Sequence, residues 1–169
     1  SNKFSKNSNH KSQTSSSSPT LSYVEIEGYN EMLDKGEHSQ AFKILKNKIS
    51  SEHDEKEQGK IYRSAAESNK KRFLNNEAIH LFKKAEAVDP TNYQHYLEHA
   101  KLLDEIGEGD EAENVLILGI QKANNPISDQ LMSKLLKQFE RRQKFNEARK
   151  VLSLVYSNYH GINTQTAAA

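Results

Sequence analysis

Cysteine is absent from the 169 residues, so the chain has neither a disulfide framework nor a thiol nucleophile; reducing and oxidising compartments both tolerate that composition. No apolar run reaches the roughly 20 residues of a membrane-spanning helix, and no apolar core of a signal peptide stands near the start. Charge of one sign is lacking too. Against 23 acidic side chains stand 24 basic ones, so the chain has no strong overall field and nucleic acid is not the expected partner. An initiating Met is missing, the chain opening on Ser1-Asn2, which reads as a piece excised from a longer protein; the closing Ala167-Ala168-Ala169 reads as vector-derived. Neither a phosphate-cradling glycine loop, nor a Ser-His-Asp order, nor a carboxylate pair on a supporting scaffold is present. The chain is therefore expected to be non-catalytic, with no cofactor and no metal.

What is present divides by composition. Residues 1–20 are rich in Ser, Asn and Lys, hold a single aromatic, Phe4, and carry Lys3, Lys6 and Lys11 with no acid. They offer too little apolar surface to offset the entropy of ordering and are expected to form a disordered linker. The other residues hold 21 basic and 23 acidic groups, a balance of −2. From residue 21 to residue 160 apolar side chains recur every three or four positions, the pattern of one helical domain, and 161–169 are expected to be a flexible tail. The spacing predicts a helix carrying Val24, Ile26, Tyr29, Met32 and Leu33, a turn at Gly36, and a second helix over 41–49. Residues 50–60 are polar enough for a loop and a solvated first turn. Further helices are predicted over 61–73, 76–88, 93–106, 111–123, 128–142 and 146–159. Between them lie Asp89-Pro90, the turn glycines Gly107 and Gly109, and Asn124-Asn125-Pro126, with Ser128 as a cap.

The second helix of each pair repeats a register. Ala41, Ala78, Ala112 and Ala148 stand 37, 34 and 36 residues apart. Four residues beyond each come Leu45, Phe82, Leu116 and Leu152, and three beyond those Lys48, Ala85, Gly119 and Val155. On the first helices Tyr62, Tyr96 and Met132 precede Ala65-Ala66, His99-Ala100 and Leu135-Leu136, and Asn69, Leu103 and Phe139 follow these pairs. Small residues let a neighbouring helix come close, and large ones fill the space beside them. A fixed period upheld at several positions is the mark of a stacked array. This pattern resembles the tetratricopeptide repeat family over about residues 22–160, most closely in the pair from Ile61 to Pro90 for the second helix, where the proline ends it, and from Tyr93 to Gly119 for the first. Asn69, polar where a large apolar residue is usual, and Lys48, in place of a small one, depart from it. Glu25, Gly28 and Tyr29 fit it poorly. Half-a-TPR repeats are similar at Phe139-Glu140 and Glu147 to Leu152, but they usually show Trp anchors, and this chain has no Trp.

The resemblance implies an all-α fold, an α-solenoid of about four antiparallel hairpins in a right-handed superhelix, preceded by the disordered head. It also implies a groove lined by the first helices. Those side chains would be Tyr23, Ile26, Asn30 and Leu33 from the first pair and Lys60, Arg63, Glu67 and Lys70 from the second. The third and fourth pairs would add Gln94, Leu97, Lys101 and Asp104, then Gln130, Ser133, Lys137 and Glu140. An apolar end grades into a basic middle and a mixed far end, which suits a protein or peptide segment with an apolar anchor and acidic residues. The clamp by which some members hold acidic chaperone tails is not matched. Glu67 and Glu98 stand where asparagines are required, and the neighbouring register supplies Ser64, Gln94 and Glu98.

Two further features are read as packing. His95-Tyr96-Leu97-Glu98-His99 fits the H-x-x-E-H pattern of zinc peptidases, but a catalytic metal needs a third ligand, and the register assigns Tyr96, His99 and Ala100 to contacts with the hairpin partner. Tyr93, Tyr96, Tyr156 and Tyr159 fall at helical spacing. The last hairpin, with Val151, Leu154, Val155 and Tyr156 and no polar capping helix, is expected to dock against another copy or another part of a longer chain. The function expected is an interaction scaffold. The alternatives are an accessory domain cut from a larger enzyme, such as a glycosyltransferase, and an RNA-processing scaffold of the half-a-TPR type.

Overall fold

Four times along the chain the backbone makes one and the same turn. The amides of Glu37, Leu74, Glu108 and Lys144 each donate to the carbonyl five residues earlier, on Met32, Asn69, Leu103 and Phe139. The residue before each amide, Gly36, Phe73, Gly107 and Gln143, is left-handed, with φ of 72, 59, 86 and 55°. A left-handed residue under such a bond closes a helix and satisfies its last carbonyls. The next helix starts at once: the amides of Ala41, Ala78, Ala112 and Ala148 donate to the carbonyls of Glu37, Leu74, Glu108 and Lys144.

The turns build antiparallel hairpins. The structure, a computed structural model, describes residues 23–123 and 129–153. Its helices are α1 (Tyr29–Asp34), α2 (His38–Ser51), α3 (Glu55–Lys70), α4 (Asn75–Val88), α5 (Tyr93–Glu105), α6 (Gly109–Lys122) and α7 (Asp129–Arg141). A further helical run, α8, begins at residue 145 and is described as far as 153. No strand occurs among the described residues. α1, α3 and α5 each lie against their own hairpin partner, and α3, α5 and α7 lie also against both helices of the preceding hairpin, so α5 meets α3 and α4, and α7 meets α5 and α6. That is the packing of a helical repeat solenoid.

The core follows the repeat. Ala41, Ala78 and Ala112 are buried and Ala148 is half-buried, while Leu45, Phe82 and Leu116, four residues on from the first three, fill the interior. One apolar cluster joins the first two hairpins and takes in Leu102 of α5; a second joins the last two, and Ile79 touches both. Tyr96 packs on its own hairpin partner as expected, since a Cβ added at Gly119 would stand 2.8 Å from Tyr96 Cβ and Cγ. His99 reaches instead to the previous hairpin, stacking on Phe82 with ring centroids 5.7 Å apart.

Several boundaries differ from those expected. The first helix begins only at Tyr29: Gly28, at φ 78°, breaks it, and Val24 and Ile26 stand on non-helical backbone. The third helix starts six residues earlier than expected, at Glu55, because Asp54 caps it by accepting the Lys56 amide at 2.9 Å, and its first turn carries Glu55 and Glu57, favourable at the positive end of the helix dipole. Gly109 is the first residue of α6 rather than part of the turn. The head up to residue 22, the Asn124-Asn125-Pro126 break with the Ser128 cap, and everything past 153, including Leu154, Val155, Tyr156 and Tyr159, lie outside the described residues.

Asn69 explains its own departure. Buried, it donates through Nδ2 to the Tyr29 hydroxyl at 2.7 Å and to the Ala65 carbonyl at 2.8 Å, tying the first hairpin to the second. Lys48 is exposed because the short α1 brings no helix against it. Phe73, in contrast, holds a left-handed conformation at an 86% exposed turn, where a side chain gains little contact and costs about 1–2 kcal/mol of backbone strain. Phe73→Gly is therefore expected to raise stability by about 1 kcal/mol in urea denaturation; a destabilised variant would show that the ring is anchored.

Candidate functional site

The odd-numbered helices stand side by side and are joined at their ends by ion pairs. Asp34 meets Arg72 Nε at 2.6 Å, Lys70 meets Glu105 at 3.5 Å, and Asp104 meets Arg141 at 2.7 Å and Lys134 at 3.9 Å. Exposed pairs of this kind contribute about 0–1 kcal/mol each, so their effect is to hold the helices in register.

Of the sixteen side chains assigned by resemblance, Ile26, Leu33, Arg63 and Glu67 are buried. Lys60, Lys70, Gln94, Leu97 and Asp104 are half-buried, and Tyr23, Asn30, Lys101, Gln130, Ser133, Lys137 and Glu140 are exposed. Ile26 and Leu33 belong to the core, and Lys60 pairs with Glu57 on its own helix at 2.7 Å. Five neighbours share this face although the repeat positions did not name them: Ser64, Lys71, Glu98, Lys134 and Arg141. Each follows an assigned residue by one, so a face read two residues wide on each helix would have found them.

Arg63 is enclosed. Its Nη1 donates to His95 Nδ1 at 3.2 Å, and His95 Nε2 donates to Asp89 Oδ2 at 3.1 Å. Only the neutral imidazole protonated on Nε2 satisfies both bonds. Burial, then the Arg63 charge, hold the His95 pKa down to about 4, against the pull of Asp89. His99 donates from Nδ1 to Glu86 at 2.6 Å. The two histidines of the zinc-like motif are thus engaged by side chains of α3 and of the segment from Glu86 to Asp89, and among the described residues no group of three His, Asp or Glu could hold a metal. Burial raises the Glu67 carboxyl above its usual range, with Glu98 adding to the rise and Lys70 and Lys101 opposing it.

The backbone ahead of α1 crosses this face. The Val24 amide donates to Ser64 Oγ on α3 at 2.7 Å, and the Tyr23 ring lies 6.0 Å from the Lys71 ammonium. The Tyr23 hydroxyl is raised above its ordinary pKa by partial burial and then by the fields of Glu67 and Glu98. Tyr23 and Ile26 therefore belong to a non-helical segment resting on α3, whereas the sequence pattern put them on a helix lining the groove.

Residues 75–135, from α4 into α7, match the tetratricopeptide repeat family. The chain carries a tetratricopeptide-like helical repeat domain. Such repeats are generally protein–protein interaction modules. The match takes in α4, the whole of the third hairpin, α5 and α6, and the first half of α7. No curated protein matches the chain. Among the described residues, no helix of this repeat domain is long and apolar enough to cross a membrane.

Proposed function

We propose that the chain is a non-catalytic scaffold that holds an extended protein segment along the face of α3, α5 and α7. The observation that carries this reading is that the face already accepts a non-helical stretch of backbone, the chain's own residues 23–26, through the Val24 amide and Ser64 Oγ. An incoming segment would meet Gln94, Leu97 and Lys101 on α5 and Gln130, Ser133 and Lys137 on α7. Lys101 and Lys137 are exposed cations suited to acidic side chains, and half-buried Leu97 is suited to an apolar anchor. Arg63 takes part as scaffold, below the surface.

The test uses extended synthetic peptides with one apolar anchor and two or three acidic residues, titrated by fluorescence anisotropy. Reversing both exposed charges, Lys101→Glu with Lys137→Glu, is expected to weaken binding about tenfold or more while leaving the helical circular dichroism unchanged. Ser64→Ala, which removes the acceptor for the Val24 amide, is expected to tighten binding by loosening the resident segment. Peptide affinity indifferent to all three substitutions would overturn the reading.

A further inference from the structure

The first two hairpins do not close on each other. A cleft of about 800 Å³ lies between α2 and α4, walled by Phe42, Leu45 and Ile49 on one side and Leu81 on the other, with Tyr62 in its floor. Its cause is local. The six residues of α1 are too few to draw α2 inward along its length, and Lys48 stands where Ala85 and Gly119 let the later hairpins tighten. Phe42 is left 61% exposed.

We propose that this cleft is a second docking site, and that its occupant is an acidic amphipathic helix of about three turns supplied by a protein partner. Length, apolar spacing and charge agree on that occupant. The 14 residues of α2 extend about 21 Å, enough to run beside about three turns of another helix. Phe42, Leu45 and Ile49 present an apolar stripe at spacings of three and four, the complement of a helix anchored through i, i+3 or i+4, and i+7. The lips carry two lysines, Lys46 on α2 and Lys84 on α4, with the imidazoles of His38 and His80 beside them, against a single carboxylate, Glu77. Among the described residues neither lysine has a carboxylate within ion-pair distance, and the Lys84 ammonium sits 5.8 Å from the centre of the Tyr62 ring at the cleft floor. Acidic residues flanking the partner's apolar stripe would lie against these lips. The site is walled by even-numbered helices and is separate from the face of α3, α5 and α7.

The probe is a labelled synthetic helix of about 11 residues with Leu at the three anchor positions and Glu on both flanks, titrated into the full chain. The same helix with Lys flanks, and dodecanoate, serve as comparators. Expected are saturable binding of the Glu-flanked helix that weakens with added salt, little binding of the Lys-flanked helix, and a loss of about tenfold from either Phe42→Ser or Lys46→Glu. Lys122→Glu, an exposed change outside the cleft, should leave the affinity for this helix unchanged. Both altered side chains are exposed, so the fold should survive, and Lys46→Glu alone decides the matter if Phe42→Ser does not fold. Equal binding of the two helices, absence of binding, affinity indifferent to both cleft substitutions, or displacement of the helix by low concentrations of dodecanoate would each overturn the proposal.

Discussion

Arg63→Ala is expected to lower stability at pH 7 by about 3–5 kcal/mol, enough to unfold much of a domain of this size. Arg63 is fully buried, and three carboxylates within its field are buried as well: Asp89, which accepts from His95, and Glu98 and Glu67. Truncation leaves a cavity the size of a guanidinium and its stem, strands the acceptor Nδ1 of His95, and removes the positive charge beside those acids. The three losses can be separated. Arg63→Met refills most of the volume, so its cost reports the charge and the hydrogen bond. Adding Glu67→Gln and Glu98→Gln to Arg63→Met removes two of the stranded acids and should recover part of the loss, a coupling that a double-mutant cycle measures directly. Urea denaturation of Arg63→Ala showing a loss below about 1 kcal/mol would mean that water reaches the guanidinium.

Much of the architecture is legible in the chain because it is written several times over. One buried alanine proves nothing, but Ala41, Ala78 and Ala112, each followed four residues later by a core side chain, state the same packing three times. The common turn is also readable where glycine supplies the positive φ, at Gly36 and Gly107, and hidden where Phe73 and Gln143 occupy the same conformation. The truncated first helix was harder to see. Val24, Ile26 and Tyr29 satisfy a helical spacing loosely while two of them sit on non-helical backbone, and Gly28 was the signal that the helix starts late.

The candidate face was legible only in part. Repeat position says which side of a helix a residue occupies, but not whether another segment lies over it. Arg63 and Leu97 stand at the same repeat position on α3 and α5, yet the first is enclosed by His95 and its neighbours while the second is half-buried. The partners that decide this, Arg63 with His95 and Asn69 with Tyr29, are separated by 32 and 40 residues, beyond any local pattern.

Acid should weaken the folded chain by about 3 kcal/mol between pH 6.5 and pH 4 through His95 alone. In the unfolded chain this imidazole titrates near 6.5, whereas in the fold it takes up no second ring proton until about pH 4. Above pH 6.5 both states carry it neutral and the His95 contribution is constant. As pH falls below 6.5 the unfolded state takes up a proton that the folded state refuses, so stability drops at about 1.4 kcal/mol per pH unit until the folded pKa is reached. The geometry gives the reason: a second ring proton would sit on Nδ1, against the Arg63 Nη1 donor that this nitrogen now accepts. Glu67 opposes the slope. Its raised pKa means the folded state binds a proton more readily than the unfolded state between the ordinary carboxylate range and the raised value, so stability gained there on acidification partly offsets the loss. Glu67→Gln should therefore steepen the acid loss. His95→Gln should start less stable at pH 7, because the Asp89 and Arg63 bonds are disturbed, but show a flatter profile below pH 6.5. Urea midpoints for the three proteins at intervals between pH 4 and pH 7.5 give both slopes. Parallel profiles for the native chain and His95→Gln would show that the imidazole is protonated in the fold as readily as out of it.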